Sequence, residues 1–288
     1  MIRFGPAGNS DTFYDEGYKR TTEAFKWLNH KDIDAFEYPC TRGVLVKQET
    51  AEEIGAEAAK YDIRLSLHAP YYINLAGTEK EKLEKSRAYI EKSIEAALWM
   101  DAKRVVVHPG GIGKDSRDAA MKRALVFFSD VLKNQNHSEI IAPELMGKIN
   151  QLGNLDEIIA FCRVDDRTIP TIDFGHLNSR TKGALNSPEA FENVIIKLAN
   201  GIGWERTRGI HVHFSRIEFT ENGGEKQHWS MKDTQFGPEF DHFIPILIKY
   251  DMTSTIISES RGTQANDAKM MKERYSNAFN GHKRTQSK

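Results

Sequence analysis

Short strand-like runs alternate with longer amphipathic runs from one end of the chain to the other, and this alternation restricts the fold more than any other feature. The strand-like runs are residues 2–5, 35–38, 64–68, 104–108, 139–144, 168–173, 209–214 and 254–259. Several are unbroken apolar stretches, such as Val105-Val106-Val107 and Ile256-Ile257. Such stretches suit a parallel sheet covered on both faces. Between them lie helical patterns. In residues 79–100, Leu83, Ala88, Ile90, Ile94, Ala97 and Leu98 form an apolar stripe with Lys and Glu opposite. Thr78 and Glu81 read as a capping box at its start. Residues 118–132, 155–162, 188–199, 238–250 and 264–278 carry similar patterns, and Ser187-Pro188 reads as a cap followed by a first-turn proline. Eight strand-then-helix units in one run predict a closed (β/α)8 barrel. An open doubly wound sheet would show a glycine-rich phosphate loop after its first strand, and Gly5-Pro6-Ala7-Gly8 lacks that spacing.

A chain of 288 residues fits one such barrel, placed here at residues 1–280, with 281–288 as a loose polar tail. No repeat or linker divides it. The formal net charge of -1 excludes a generally basic nucleic-acid binder. Any attraction for DNA must come from local cations or bound metal. Cys40 and Cys162 are the only cysteines and form no C-x-x-C pair, so a reducing cytoplasm is the expected setting. No signal-peptide pattern opens the chain and no run is long and apolar enough to span a membrane.

Polar residues of one chemical kind end strand after strand. They are His68, His108, Glu144, Asp173, His211 and His213, and Glu259. In a barrel these ends converge on one face, where the active site sits. Imidazoles and carboxylates together are a ligand set for Zn, Mn or Fe. Glycine and proline flank them, as in His108-Pro109-Gly110-Gly111, and let the backbone approach a ligand closely. Asp173 and His176 are one short turn apart. Gly223-Gly224-Glu225-Lys226-Gln227-His228 lies in what reads as a long loop after the seventh strand, from which His228 could fold back to the same centre.

These residues carry a family resemblance. The stretches 68–76 (HAPYYINLA) and 105–110 (VVVHPG), Pro143-Glu144, Asp173-x-x-His176 and Ser258-Glu259-Ser260 resemble the endonuclease IV family of apurinic/apyrimidinic endonucleases, in a divergent, archaeal-type form. The likeness implies a TIM barrel, two or three Zn2+ ions (Mn2+ or Fe as alternatives), and hydrolysis of the phosphodiester 5′ of abasic sites in double-stranded DNA, in base excision repair. It also implies a monomer. By that likeness His68, His108 and Glu144 hold one metal. Glu144 bridges to a second, held also by Asp173, a histidine of the seventh strand and Glu259, and His176 and His228 hold a third. Glu144 and Glu259 would be the catalytic carboxylates. Tyr71, Tyr72 and Arg42 would meet the DNA. Apart from the likeness, DNA binding needs basic residues near the site, and Lys148, Arg180, Lys182, Arg216 and Arg261 are candidates, each reading singly as an ordinary surface charge.

The sequence departs from the family twice. The family's H-[LI]-N-D-[SA]-K is replaced by His211-Val212-His213-Phe214-Ser215-Arg216. Matching Ser215-Arg216 to the motif's end makes His211 the ligand, which is the preferred alignment, whereas the spacing to His228 makes it His213. Lys226 stands where the family has an Asp, so the third site either recruits His213 or Glu225 or is absent. A sugar isomerase or epimerase of the xylose-isomerase-like barrels is the rival reading, since Glu144, Asp173, His211 and Glu259 would serve a single metal equally well. A barrel that binds DNA without catalysis is a third.

Overall fold

The computed structural model describes residues 1–137, 140–220, 222 and 224–286. Glu139 and Gly223, which the strand and loop assignments included, lie outside them. Seven strands come first: β1 Arg3–Pro6, β2 Ala35–Pro39, β3 Arg64–His68, β4 Val105–Val107, β5 Ile141–Pro143, β6 Thr171–Asp173 and β7 His211–Phe214. A hairpin follows, β8 Arg216–Thr220 with β9 Gly224–Trp229, and then β10 Thr255–Ser258. β2-β3-β4-β5 and β1-β10-β7-β6 are two parallel four-stranded runs. Parallel bridges Ala7–Glu37 and Glu144–Thr171 join them at both edges. The eight strands therefore close into the ring that the alternation predicts, and no open sheet edge remains in it.

Among the described residues, eleven α-helices lie outside the ring or cap it: α1 Asp11–Asp15, α2 Ala24–His30, α3 Gln48–Lys60, α4 Lys80–Trp99, α5 Arg117–Asn134, α6 Leu155–Cys162, α7 Phe174–Arg180, α8 Pro188–Ile202, α9 Trp204–Arg208, α10 Phe240–Lys249 and α11 Gln264–Gln286. Ser187 caps α8 as expected, accepting from the Ala190 amide. The capping box at α4 does not form. Its N-cap is Glu79, without a side-chain cap, and Glu81 pairs instead with Lys85 one turn on. α11 runs through Gln286, so most of the segment read as a loose tail is helix. Among the described residues, no helix is long and apolar enough to cross a membrane.

Two features of the packing position the site. Phe174 opens α7 and packs on Phe243 (centroids 4.5 Å apart) and Phe191 (5.0 Å). Each buried ring contributes about 1.5–3 kcal/mol, which anchors the turn that carries Asp173 and His176. Arg117 grips the loop after β5 through the carbonyls of Ile149 and Gln151 and through both oxygens of Glu157. Arg180 donates to the carbonyls of Met146, Lys148 and Gln151 in the same loop. Arg180 is thus a structural clamp, neither a surface charge nor a cation free to meet DNA.

The segment after β7 is also not a loop. β8 and β9 pair antiparallel, with an irregularity at Glu218/Phe219 that leaves Lys226 unpaired between Glu225 and Gln227. Arg216, expected near DNA, is 2% exposed and bonds both oxygens of Glu239 at 2.6 Å. Its guanidinium locks the hairpin's base to the start of α10.

Candidate metal centre

Strand register decides which side chains share the mouth of the barrel. His213 lies level with Asp173 and with Ile257, whereas His211 lies level with Thr171 and Thr255. Two residues along a strand is about 6.6 Å. His211 is therefore a layer deeper than Asp173, and the preferred sequence alignment that placed it among the strand-end ligands is corrected. The ring that reaches Glu144 and Glu259 is that of His213, whose Nδ1 stands 3.1 Å from Glu144 Oε1 and 3.3 Å from Glu259 Oε1.

Glu144 is the hub. Its Oε2 lies 2.8 Å from His108 Nε2 and 3.3 Å from His68 Nε2, while Oε1 faces His213. His68 Nδ1 donates to the Ala69 carbonyl at 2.8 Å, which turns Nε2 toward Glu144. His176 is fixed similarly. Its Nδ1 donates to the Leu145 carbonyl at 2.9 Å, and its Nε2 faces Glu225 Oε2 at 3.4 Å. Asp173 Oδ1 accepts from the His176 amide at 2.7 Å. Asp173 Oδ2 is buried without a hydrogen-bond partner, since His176 Nδ1, 3.4 Å away, is committed to Leu145. An orphaned buried carboxylate oxygen is costly unless a cation meets it.

Among the described residues, side chains that could hold a metal fall into four groups: His68, His108 and Glu144; Glu144, Asp173, His213 and Glu259; His176, His228 and Glu259; and, a layer deeper, Glu37, His211 and His213. Glu144 belongs to the first two and Glu259 to the second and third. The donor chemistry fits ions that accept nitrogen and oxygen. The structure thus brings the expected strand-end residues together in the first three groups, and places His211 in the deeper group that shares His213.

Lys226 does not enter the site. It pairs with Glu218 on β8. The irregular pairing turns Glu225 inward instead, 3.4 Å from His176 Nε2 and 3.7 Å from His228 Nε2. A bulge re-aims side chains in this way. Room for Glu225 comes from Gly147, where an added Cβ would stand 2.8 Å from Glu225 Cβ. Glu225 is one of the two substitutes weighed for the missing Asp, and the hairpin brings it, and not Lys226, beside His176 and His228.

Glu37 was missed. It is fully buried on β2, directly beneath the centre. Its Oε2 lies 2.9 Å from His211 Nε2 and accepts from Ser66 Oγ at 2.7 Å, and its Oε1 lies 2.9 Å from His213 Nε2. The signal was present in the sequence: a carboxylate between Phe36 and Tyr38, inside a strand otherwise read as apolar.

The groups shift one another's proton affinities. Burial raises Glu259 to about 7, against His213, and with the help of Glu144 and Asp173. Burial would also raise Glu144, but His108 and His213 outweigh it and hold Glu144 well below the usual range. His68 and His176 sit at about 9: burial opposes their charge, and Glu144 for the first and Asp173 and Glu225 for the second overcome it. Glu225 is brought down to about 2 by His228 and His176 in spite of burial. Titratable groups moved this far, in opposite directions, within one cleft mark a functional site.

The groups open into a cavity of about 830 Å3 whose lining includes Asn9, Tyr71, Lys148 and Arg261. Tyr71, 57% exposed, stands on the rim with its ring 5.4 Å from that of His108. Tyr72 is turned toward Tyr89, and neither it nor Arg42 lines the cavity. Lys182 also lies outside the lining.

Residues 25–276 match the model of the xylose isomerase-like TIM barrel family. An uncharacterized protein of Methanocaldococcus jannaschii is 31% identical over 265 residues, 90% of this chain and 92% of that protein. A protein of Staphylococcus carnosus named "Probable endonuclease 4" is 30% identical over 173 residues, 58% of this chain and 57% of its own length. Among solved structures, endonuclease IV from Thermus thermophilus superposes with a TM-score of 0.72 at 16% identity, covering 96% of this chain and 99% of its own. A D-tagatose 3-epimerase-like protein superposes at 0.69 and 20% identity, covering 87% and 91%. At such identities these structural likenesses establish the barrel alone.

Proposed function

The chain belongs to the xylose isomerase-like TIM barrel family, as an endonuclease IV-like member, and we propose that it is a metal-dependent endonuclease. Its reaction is hydrolysis of the phosphodiester 5′ of abasic sites in double-stranded DNA. The observation that carries this reading is the chain of three ligand groups linked through Glu144 and Glu259. A single-metal enzyme has no use for His68, His108, His176 and His228 in addition to a complete carboxylate–histidine set.

In this reading His68, His108 and Glu144 hold one ion, Glu144, Asp173, His213 and Glu259 a second, and His176, His228, Glu225 and Glu259 a third. Zinc is the proposed ion. Metals held there would supply Lewis acidity to phosphate oxygens and lower the pKa of water at the site. The chain's own groups do the rest. Glu144 and Glu259 each face two ligand groups, so these two carboxylates stand where an attacking water is oriented. Tyr71 on the rim offers a face for base stacking. An abasic nucleotide has no base to unstack and turns into such a cavity at lower cost than an intact one. Lys148 and Arg261 supply local positive charge to a chain with none to spare overall. The protein acts as a monomer in the cytoplasm, in base excision repair.

The rival is a single-metal sugar epimerase, favoured by one observation: Glu144, Asp173, His213 and Glu259 alone already make a four-ligand site. Metal content separates the two. The nuclease reading expects two or three ions per chain and loss of the shared ions in Glu144→Gln. One tightly held ion per chain, with turnover of a ketose, would replace it with the epimerase.

A further inference from the structure

Below the strand-end ring lies a second polar layer that the nuclease reading leaves without a role. Glu37 sits at its centre, with His211 and Ser66 as neighbours and His213 above. Glu37, Ser66, His211 and His213 are all buried to 2% exposure or less. A carboxylate in the middle of a barrel core is expensive unless its lone pairs are met. Ser66 Oγ and His211 Nε2 both meet Oε2. Oε1 has one neighbour able to donate to it, His213 Nε2 at 2.9 Å. The two atoms are off the line of a hydrogen bond, and neither has another partner among the described residues. Leaving both unmet would cost about 1–3 kcal/mol for each, so a hydrogen bond between these two neighbours is strongly favoured.

We infer that Glu37 is a positioning residue. It takes the proton of His213 Nε2 as a hydrogen bond and so turns the Nδ1 lone pair toward Glu144, Asp173 and Glu259. His211 and Ser66 hold Glu37 in place for that purpose. The geometry is selective, because the two nitrogens of His213 face carboxylates of different layers: Nδ1 looks up at Glu144 and Glu259, and Nε2 looks down at Glu37. An imidazole that binds metal through one nitrogen needs the other fixed as a donor, and a buried carboxylate is the strongest acceptor for it. This also accounts for two histidines at alternate positions of β7. One faces the centre and the other supports the residue that orients the first.

The inference rests on the metal-centre reading, and its test keeps the two apart. The zinc-loaded protein and the variants Glu37→Gln and Glu37→Asp are titrated in chelator-buffered zinc, with ring 15N shifts of His213 recorded on each loaded form. The expected wild-type result is His213 protonated at Nε2 and bound through Nδ1. Glutamine can present its amide N–H to Nε2 and oppose that tautomer. Aspartate keeps the charge but withdraws it by one methylene. In both variants the affinity for one ion falls about 10- to 100-fold, while the remaining ions hold as in wild type and the Nε2–H signal weakens. A folded variant of either kind that keeps the wild-type His213 spectrum and all wild-type affinities overturns the role of Glu37 and leaves the metal centre standing. A wild-type protein that takes up no ion overturns both.

Discussion

Gly147→Ala disturbs the third ligand group without removing any of its ligands. Gly147 lies in the loop that Arg117 and Arg180 hold rigid, and its backbone is outside the left-handed region, so alanine brings no strain of its own. The new methyl would stand 2.8 Å from Glu225 Cβ and 3.1 Å from both Glu225 Oε2 and His176 Cδ2. Ordinary contact begins at 3.4 Å, so Glu225 must give way by about 0.6 Å. A metal site tolerates displacements of about 0.2 Å in its ligand distances. Forced overpacking costs about 1–3 kcal/mol, which at 1.4 kcal/mol per decade is about a 5- to 150-fold loss of affinity. The loss should fall on one ion of three, read by elemental analysis after dialysis against graded free zinc. Gly111→Ala is the control, because its methyl would meet only the Asn150 carbonyl at 3.9 Å. If Gly147→Ala binds every ion as tightly as that control, then Glu225 is not a ligand and the bulge at Lys226 has another purpose.

Other perturbations probe other parts of the site. Protons on His68 and His176, at about 9 without metal, must leave before those nitrogens can bind, so affinity rises with pH below that value. One displaced proton gives about tenfold per pH unit, hence about 100-fold between pH 6 and pH 8 by zinc competition, and a flat profile would contradict the assignment. Tyr71→Ala should weaken binding of an abasic duplex by about 1–3 kcal/mol in a fluorescence-anisotropy titration while metal content stays constant. Equal binding would remove Tyr71 from the DNA contact. Arg216→Met should leave the Met231 and Phe236 carbonyls without their donor, Glu239 itself being partly exposed, and lower stability by about 1–3 kcal/mol in urea unfolding. A variant as stable as wild type but weak only in DNA binding would return Arg216 to the surface role suggested by sequence.

Much of this site was legible in the chain because the barrel makes strand ends equivalent. Once the alternation set the topology, His68, His108, Glu144, Asp173 and Glu259 had to meet, and they do. What was not legible depended on register. Whether His211 or His213 looks upward follows from a two-residue offset against β6 that no motif encodes. Glu225 reaches the site through one unpaired residue in the β8–β9 hairpin, where period-two reasoning would have sent Lys226. Glu37 was hidden for a different reason: a charge inside an apolar strand reads as an exception until the histidines that stabilise it are seen above and beside it. The cations erred in the other direction. Arg180 and Arg216 look like surface charge in sequence, but long guanidinium side chains also satisfy buried carbonyls, and here they brace the loops that bear the site.

The central claim is that these ligand groups serve phosphodiester hydrolysis at abasic sites. Its most direct test is a labelled duplex with one stable abasic analogue, incubated with metal-loaded protein, with chelator-stripped protein, and with stripped protein given zinc back. We expect a single nick on the 5′ side of the lesion, absent after stripping, restored by zinc, and absent throughout in Glu144→Gln. An intact duplex in the presence of protein shown to carry two or three ions, or an equal nick in the stripped sample, would contradict it.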